Sequence, residues 1–281
     1  MKLLYVTDIH GIEWKHNKIY QIASSLKPDV VINGGDMLTF RGNLMHQDKF
    51  ITDFLDEYFS RFESMKIYYL GMLGNDDLKI FDELFQKTCD KYSYAANLAQ
   101  KKFRIEGSEY EFIGMNWIPD LPFGLKDRAR KDSKDFEFPK QFGKQYLSSP
   151  NGWKRIEDWI SYVENLPTIE DELKNLVKPS DMNNAIYILH SPPSNLDLDV
   201  THTGLKVGSK AEYYFLKENQ PKLSLHGHIH ESPDVSGKYY SQIGNTKCIQ
   251  PGQSQQHEEY LTYVLVDLET MNIERKTAKA F

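Results

Sequence analysis

Five short apolar runs in this sequence are each followed directly by residues that can bind a metal ion. The runs occupy residues 3–6, 30–32, 67–70, 186–189 and 223–225. Most are bounded by Gly, Asp, Asn or Pro and consist of β-branched, aromatic or aliphatic residues, as buried β-strands do. Because α/β sheets bind their ligands beyond the carboxyl ends of strands, the residues that follow these runs can meet at one edge.

Helical patterns separate the first of these runs. Ile12, Ile19, Ala23 and Leu26 recur at helical spacing, and residues 50–62 form a second apolar helix face. A β-α-β-α-β order of this kind predicts a mainly parallel sheet. In the C-terminal third, residues 261–266 are predicted to pair with residues 273–276 as an antiparallel hairpin. The predicted fold class is therefore mixed α/β.

One segment, residues 119–152, follows neither the strand period nor the helix period. Between residues 126 and 144 it carries seven cations against four acids, interleaved with phenylalanines. Loops of this length are functional or disordered, so it is either a solvated excursion packed down by its aromatic residues or a functional lid or guide. We expect the chain to return from it through two helices, at residues 153–166 and 168–177.

The amino-acid composition restricts the cellular compartment and the partners that we expect for the protein. With 34 basic and 40 acidic residues, the 281-residue chain has a net charge of −6 and as a whole repels nucleic acids and anionic membranes. Cys89 and Cys248 cannot build a disulfide framework, and no stretch approaches the ~18 apolar residues of a membrane span. We therefore expect a cytoplasmic protein with no membrane partner; the sequence does not define its oligomeric state.

The residues that follow the apolar runs include seven side chains of metal-ligand type. They are Asp8, His10, Asp36, Asn75, His190, His228 and His230. Each has a structural alternative, because Asp can cap a helix, Asn can shape a turn, and a single His is more often structural. Five strand ends that carry such residues and little else favour a metal site over seven separate structural roles.

The types of ligand restrict the metal. Carboxylate, amide and imidazole groups suit Mn²⁺, Fe²⁺, Zn²⁺ or Ni²⁺, whereas the absence of thiolates argues against an iron–sulfur or structural zinc site. The excess of imidazole argues against Ca²⁺. Seven side chains are too many for one ion, so we expect two divalent ions that share a carboxylate, an arrangement used for in-line displacement at phosphorus.

The ordered motifs D-x-H, G-D, G-N, H and G-H-x-H resemble those of the calcineurin-like metallophosphoesterases. The resemblance extends through Pro192-Pro193 and Gly208-Ser209 to Pro251-Gly252 and is closest to single-domain, phosphodiesterase-type members. It implies a four-layer α-β-β-α sandwich of two mixed sheets flanked by helices. We expect one such domain over residues 1–281, with the irregular segment at about 119–152 as an insertion.

The resemblance also assigns the ligands. It implies that Asp8, His10 and His230 hold one metal, that Asn75, His190 and His228 hold the other, and that Asp36 bridges them. Mn²⁺ is the expected metal, with Fe, Zn or Ni as alternatives. The expected reaction is hydrolysis of a small phosphate ester, with a diester favoured, by attack of a metal-bridging hydroxide on phosphorus.

One catalytic position departs from the family pattern. The family usually has G-N-H-[DE], and its His stabilises the transition state or protonates the leaving oxygen; here Asp76 takes that place and Asp77 follows. An Asp near two cations should have a pKa below ~3.9, so Asp76 is not expected to act as a general acid at neutral pH. His202 is a candidate replacement, with a surface role as the alternative, and His226 is expected to be structural.

Two other functions stay open. A nuclease could use the same site, with residues 119–152 guiding a single strand, although the net charge of −6 supports nucleic acid weakly. A non-catalytic scaffold could keep the fold and use its surface for partners. Loss of catalysis should erode the ligands, whereas all seven are present, so hydrolysis is the favoured function.

Overall fold

The computed structural model describes residues 1–254 and 259–280. One of the two β-layers is a six-stranded mixed sheet. Its strands are β1 (Lys2–Val6), β2 (Val30–Asn33), β3 (Tyr68–Gly71), β4 (Ala95–Asn97), β15 (Tyr260–Asp267) and β16 (Asn272–Lys279). Their spatial order is β16-β15-β1-β2-β3-β4. Strands β1 to β4 are parallel, whereas β15 and β16 form an antiparallel hairpin at the edge. The predicted parallel opening and C-terminal hairpin are therefore confirmed.

A second six-stranded mixed sheet has the spatial order β13-β14-β12-β11-β6-β5. Its strands are β5 (Lys102–Arg104), β6 (Glu111–Met115), β11 (Ala185–Leu189), β12 (Leu223–Leu225), β13 (Tyr240–Ile243) and β14 (Thr246–Ile249). The four central strands are parallel and the two edge strands are antiparallel to their neighbours. The strands that precede His190 and His228 therefore run side by side, so that both residues leave the same edge of the sheet.

Helices cover the outer faces of the two sheets. The helices are α1 (Glu13–Leu26), α2 (Gln47–Lys49), α3 (Asp56–Met65), α4 (Asp82–Cys89), α5 (Trp159–Val163), α6 (Ile169–Asn175), α7 (Lys210–Asn219) and α8 (Ser232–Ser236). A π-helical stretch (Phe50–Leu55) joins α2 to α3. The predicted helix at residues 168–177 is confirmed as α6, which Thr168 and Asp171 begin with a reciprocal capping box.

Alternate side chains of the strands bury both faces of each sheet. Leu3 and Tyr5 of β1 pack between the sheets together with Ile186 and Ile188 of β11. Their neighbours on β1 pack on the other face, in a cluster that includes side chains of α1, α3 and α4. Helices α6 and α7 cover the second sheet in the same way. The expected four-layer α-β-β-α sandwich is confirmed.

The helix predicted at residues 153–166 is confirmed only over the short α5 (Trp159–Val163) and is wrong over residues 153–156. Residues 152–156 form β10 (Gly152–Ile156), which pairs antiparallel with β9 (Gln145–Ser149), and the only helix here is the short α5. Most of β10 is exposed, so it lacks the alternating burial that would reveal a strand in the sequence. A further strand pair, β7 (Ile118–Pro119) with β8 (Ala129–Arg130), ties the start of the insertion to its middle.

A fully solvated excursion, one of the two alternatives for this segment, does not hold for three of its seven cations. Lys126, Arg128 and Arg130 are buried, at 1%, 1% and 6% exposure. Lys126 pairs with Asp120 at 2.6 Å, and Arg128 pairs with Asp82 at 2.5 Å. The Lys126–Asp120 pair lies within the insertion, whereas the Arg128–Asp82 pair joins the insertion to the start of α4. Such pairing is expected, because a buried cation is stable only when it is paired and hydrogen-bonded. Within residues 1–254 and 259–280, no helix is long and apolar enough to cross a bilayer.

Candidate metal centre

All seven predicted ligands lie at strand ends that meet at one edge of the sandwich. Asp8 and His10 follow β1, Asp36 follows β2, Asn75 follows β3, His190 follows β11, and His228 and His230 follow β12. Both sheets therefore contribute to the site.

The ligand atoms form two groups that share one carboxylate. Atoms of Asp8, His10, Asp36 and His230 lie within 4.8 Å of one another, and so do atoms of Asp36, His190 and His228. The Oδ1 atom of Asn75 lies 2.9 Å from Nε2 of His190, which places it beside the second group. This grouping follows the division that the family resemblance implied. That these side chains bind metal stays a prediction.

Four of the seven residues have left-handed backbone conformations that non-glycine residues rarely adopt. The φ angles are 56° at Asp8, 51° at His10, 50° at Asp36 and 69° at His228. Such conformations cost about 1–3 kcal/mol each and persist only where the surroundings impose them. Here the N–H groups of Asp8 and His10 donate to the carbonyls of Gly35 and Asp36, at 2.9 and 2.8 Å. The loops after β1 and β2 therefore fix each other.

Two glycines allow these loops to approach closely. A Cβ atom on Gly35, whose φ is +122°, would lie 2.5 Å from Nδ1 of His190, and a Cβ atom on Gly74 would overlap Asp36. Only glycine fits at either position, because any side chain would displace a candidate ligand.

The hydrogen bonds of His190 define how its imidazole is presented. Its Nδ1 atom lies 2.9 Å from the carbonyl oxygen of Gly34, which can only accept, so Nδ1 carries a hydrogen. Its Nε2 atom faces Asn75 and lies 3.5 Å from Oδ2 of Asp36. The chain thus orients His190 through the nitrogen that points away from the carboxylate, as proteins commonly do for metal-binding histidines.

The charges of the cluster fit a bound cation. Burial lowers the pKa of His228 to about 3 and that of His10 to about 4, which keeps both imidazoles neutral and able to offer a lone pair. Burial opposes charge on His190 as well, but Asp36 raises the pKa of His190 to about 9. Among the described residues, Nε2 of His228 and Nδ1 of His10 have no hydrogen-bond partner although both are buried. Buried carboxylates and unpartnered nitrogens together are a suitable donor set for divalent metal ions.

Asp76 lies half-buried beside both groups. Its N–H donates to Oδ1 of Asp36 at 2.8 Å, and its own Oδ1 accepts from Nδ2 of Asn75 at 2.9 Å. Burial and then the carboxylate of Asp36 raise the pKa of Asp76 to about 7. Burial and the nearest carboxylate favour the protonated form, whereas the expected pKa below ~3.9 applies to a site with two bound cations and stays a prediction. A catalytic role for Asp76 stays a prediction.

The two other histidines differ in their surroundings. His202 lies on an exposed turn, where its backbone N–H donates to Glu231 at 3.1 Å. No contact in residues 1–254 or 259–280 joins its ring to the seven ligand candidates, and its role as a proton donor stays a prediction.

His226 is buried, with Nδ1 at 2.9 Å from the carbonyl of Ser191 and Nε2 at 2.8 Å from Oγ of Ser224. Its predicted structural role is confirmed.

The sequence did not reveal how Asp77 supports the site. The buried carboxylate of Asp77 accepts from the N–H groups of Gly74, Met37 and Leu38, at 2.7, 2.9 and 2.8 Å. It therefore joins the loop after β2 to the loop after β3. Gln47 likewise donates to a carbonyl in each of these loops, at 2.8 and 2.9 Å. The only signal in the sequence was the acidic residue type at position 77, because Met37 and Leu38 lie 40 and 39 residues away.

Solved structures with similar folds cover nearly the whole chain. The TT1561 protein of Thermus thermophilus has 15% identity and a TM-score of 0.58, over 100% of this chain and 99% of that one. A dimetal phosphatase from Danio rerio has 9% identity and a TM-score of 0.52, over 100% and 96%. Another crystal structure has 19% identity and a TM-score of 0.62, over 98% of both chains. At these identities, the similarity shows the fold alone.

Two sequence matches differ in how much they cover. An uncharacterized NOC2 family protein of Schizosaccharomyces pombe is 26% identical over 132 residues, and the match covers 47% of this chain but 18% of that protein's length. The profile of the calcineurin-like phosphoesterase family matches residues 1–232, a range that contains all seven ligand candidates. Because this match spans most of the 281 residues, the chain belongs to the calcineurin-like phosphoesterase family.

Proposed function

We propose that this chain is a dinuclear-metal-dependent phosphodiesterase that acts on small phosphate esters. One observation carries the proposal: two groups of buried ligand atoms share Asp36 at an edge where both sheets end. A single carboxylate between two sets of nitrogen and oxygen donors is the geometry that a pair of divalent cations requires.

The chain supplies the ligands and fixes their orientation. When bound, two cations, with Mn²⁺ as our first choice and Fe, Zn or Ni as alternatives, would polarise the phosphate and lower the pKa of water. Asp8, His10 and His230 would hold one ion, Asn75, His190 and His228 the other, and Asp36 both. The N–H of His228 donates to both carboxylate oxygens of Asp8, at 3.0 and 3.1 Å, and so fixes that ligand in turn.

Asp76 has a role that does not require it to donate a proton. Because Nδ2 of Asn75 donates to Asp76, the amide oxygen of Asn75 is turned toward His190. We therefore assign to Asp76 the orientation of a metal ligand. Two bound cations would favour the ionised carboxylate of Asp76, so the proton for the leaving oxygen would come from another group or from solvent, which favours esters with good leaving groups.

Several features favour a small ester over a nucleic acid. A continuous basic surface is needed to follow a nucleic acid strand. Three of the seven cations of the insertion are instead buried, and the chain carries a net charge of −6. The non-catalytic alternative is less favoured, because the left-handed conformations at four ligand candidates are costly to keep without a function.

We also propose a cytoplasmic location. Cys89 and Cys248 are both buried and neither forms a disulfide, as expected for a protein of a reducing compartment. A small phosphate ester is the only partner that the proposal requires.

Metal content and hydrolysis measured on one preparation test the proposal. The protein is stripped with a chelator and reconstituted with Mn²⁺; elemental analysis should then find about two ions per chain, and bis-p-nitrophenyl phosphate should be hydrolysed. Asp36→Asn should lose both properties, whereas Asp135→Asn, which removes the same charge from an exposed site, should keep them. Less than one ion per chain in the wild type would refute the dinuclear site.

A comparison of substrates tests the choice of partner. We expect the small diester to be hydrolysed faster than a short single-stranded oligonucleotide, with little dependence on salt. A preference for the oligonucleotide that weakens steeply as salt rises would instead indicate a nuclease.

A further inference from the structure

A buried arginine of the insertion contacts the loop that carries Asn75. Arg128 is 1% exposed, and its Nε donates to the carbonyl of Gly74 at 2.7 Å. Its Nη2 donates to the carbonyl of Asp77 at 3.5 Å and pairs with Asp82 at 2.5 Å. One guanidinium therefore holds the backbone on both sides of Asn75.

The position of Gly74 affects both groups of ligand candidates. Gly74 directly precedes Asn75, and its Cα packs so tightly on Asp36 that a Cβ atom there would overlap the carboxylate. A shift of the Gly74 carbonyl would therefore move the amide of Asn75 and press on Asp36. Because Arg128 provides the short hydrogen bond to that carbonyl, it controls the position of the shared carboxylate as well as that of a ligand of the second group.

The residue before Arg128 is hydrogen-bonded on both sides. This residue, Asp127, accepts from the N–H of Lys79, at the end of the same loop, at 2.8 Å. The other oxygen of Asp127 accepts from the N–H of Ser148 in β9 at 2.7 Å. The pair Asp127-Arg128 thus links the loop at residues 74–79 to the β9–β10 hairpin. The insertion is therefore hydrogen-bonded to the loop that carries Asn75.

The chemistry of the contact requires arginine. A guanidinium presents several donors in a fixed planar fork, so that it can satisfy two carbonyls and a carboxylate at once. A lysine in its place has one ammonium group on a flexible stem and cannot hold all three acceptors at their present positions. The role is therefore specific to the guanidinium and not to positive charge in general.

We propose that Arg128 is a positioning residue for the metal centre, and that residues 119–152 are part of the support of that centre. The inference rests on the metal site of the proposed function. Residues 119–152 contain no ligand candidate, so their effect on metal binding is indirect. Arg128 touches no candidate ligand side chain in the described residues and acts through the backbone of Gly74.

Metal binding tests this proposal without reference to hydrolysis. Mn²⁺ is titrated calorimetrically into the chelator-stripped wild type and into Arg128→Gln, Arg128→Lys and Arg155→Gln. Loss of a residue that orients metal ligands commonly weakens metal binding by about 10–100-fold, and we expect this for the weaker Mn²⁺ site of Arg128→Gln. Arg128→Lys should lie between it and the wild type. Arg155→Gln, an exposed substitution just after the same insertion, should leave the dissociation constants unchanged.

A variant at Asp82 separates positioning from a general loss of stability. Asp82→Asn removes the ion pair of Arg128 but leaves the hydrogen bond to Gly74, so its melting temperature should fall while Mn²⁺ binding stays as in the wild type. If Arg128→Gln does not fold, Arg128→Lys against Asp82→Asn decides the question. The proposal is wrong if the folded Arg128 variant binds two Mn²⁺ with wild-type affinity, or if Asp82→Asn weakens binding as much. A wild type that binds two Mn²⁺ but hydrolyses no ester would refute the proposed activity only.

Discussion

Replacement of Gly35 by alanine tests whether close packing between the two sheets sets the geometry of the centre. Gly35 lies between the candidate ligands of both sheets, with φ at +122°. A Cβ atom there would be 2.5 Å from Nδ1 and 2.9 Å from Cε1 of His190. His190 cannot easily move away, because it is fully buried and its Nδ1 donates to the carbonyl of Gly34 at 2.9 Å.

The expected magnitude has two parts. A side chain at this φ costs about 1–3 kcal/mol of backbone strain, and overpacking of a buried site costs a further ~1–3 kcal/mol. We therefore expect Gly35→Ala to lower the free energy of unfolding by about 2–6 kcal/mol. The control is Gly107→Ala, which has a left-handed φ of +74° but no atom within 4 Å of its Cβ position. Its cost should be limited to about 1–2 kcal/mol for the backbone alone.

Urea unfolding of the chelator-stripped proteins measures these differences, and elemental analysis after Mn²⁺ reconstitution measures the effect on the site. Gly35→Ala should lose more stability than the control and should also lose metal. A displacement near 1 Å at a catalytic site can reduce activity by about 100-fold, so hydrolysis should fall even in molecules that keep both ions. If Gly35→Ala and Gly107→Ala have the same stability and metal content, the argument from close packing is wrong.

Two further predictions concern proton chemistry. Burial among aromatic rings lowers the pKa of His16 to about 4. Between about pH 6.5 and pH 4 the unfolded chain therefore binds a proton at His16 that the native chain does not bind, so the free energy of unfolding falls as the pH drops through this range. In urea unfolding at pH 7 and pH 5, His16→Gln should lose less free energy of unfolding between the two pH values than the wild type does. An unchanged pH dependence would contradict this prediction. Asp76→His should make hydrolysis of aryl diesters depend less on leaving-group pKa; equal slopes would indicate that another group, such as His202, already donates the proton.

The local patterns of the sequence were sufficient for much of the fold. Strands buried on both faces appear as continuous apolar runs, and the ligand candidates come shortly after those runs. The same short stretches of sequence therefore indicate both the strands and the candidate site. The hairpin of β15 and β16 was also predictable, because its strands are separated only by a short turn. The resemblance to a known family then supplied the layering of the two sheets and the division of the ligands.

The tertiary structure decided what depends on residues far apart in the chain. Strand β10 is largely exposed and forms by pairing with β9, so its sequence resembled a helix. The cations of the insertion resembled a solvated patch until their burial and their partners were known, as for Arg128 with Gly74. Nor could local sequence place Asp36 within 3.5 Å of His190, because that distance depends on how two sheets pack. Sequence thus determined which side chains stand at the strand ends, and packing between the sheets determined how they meet.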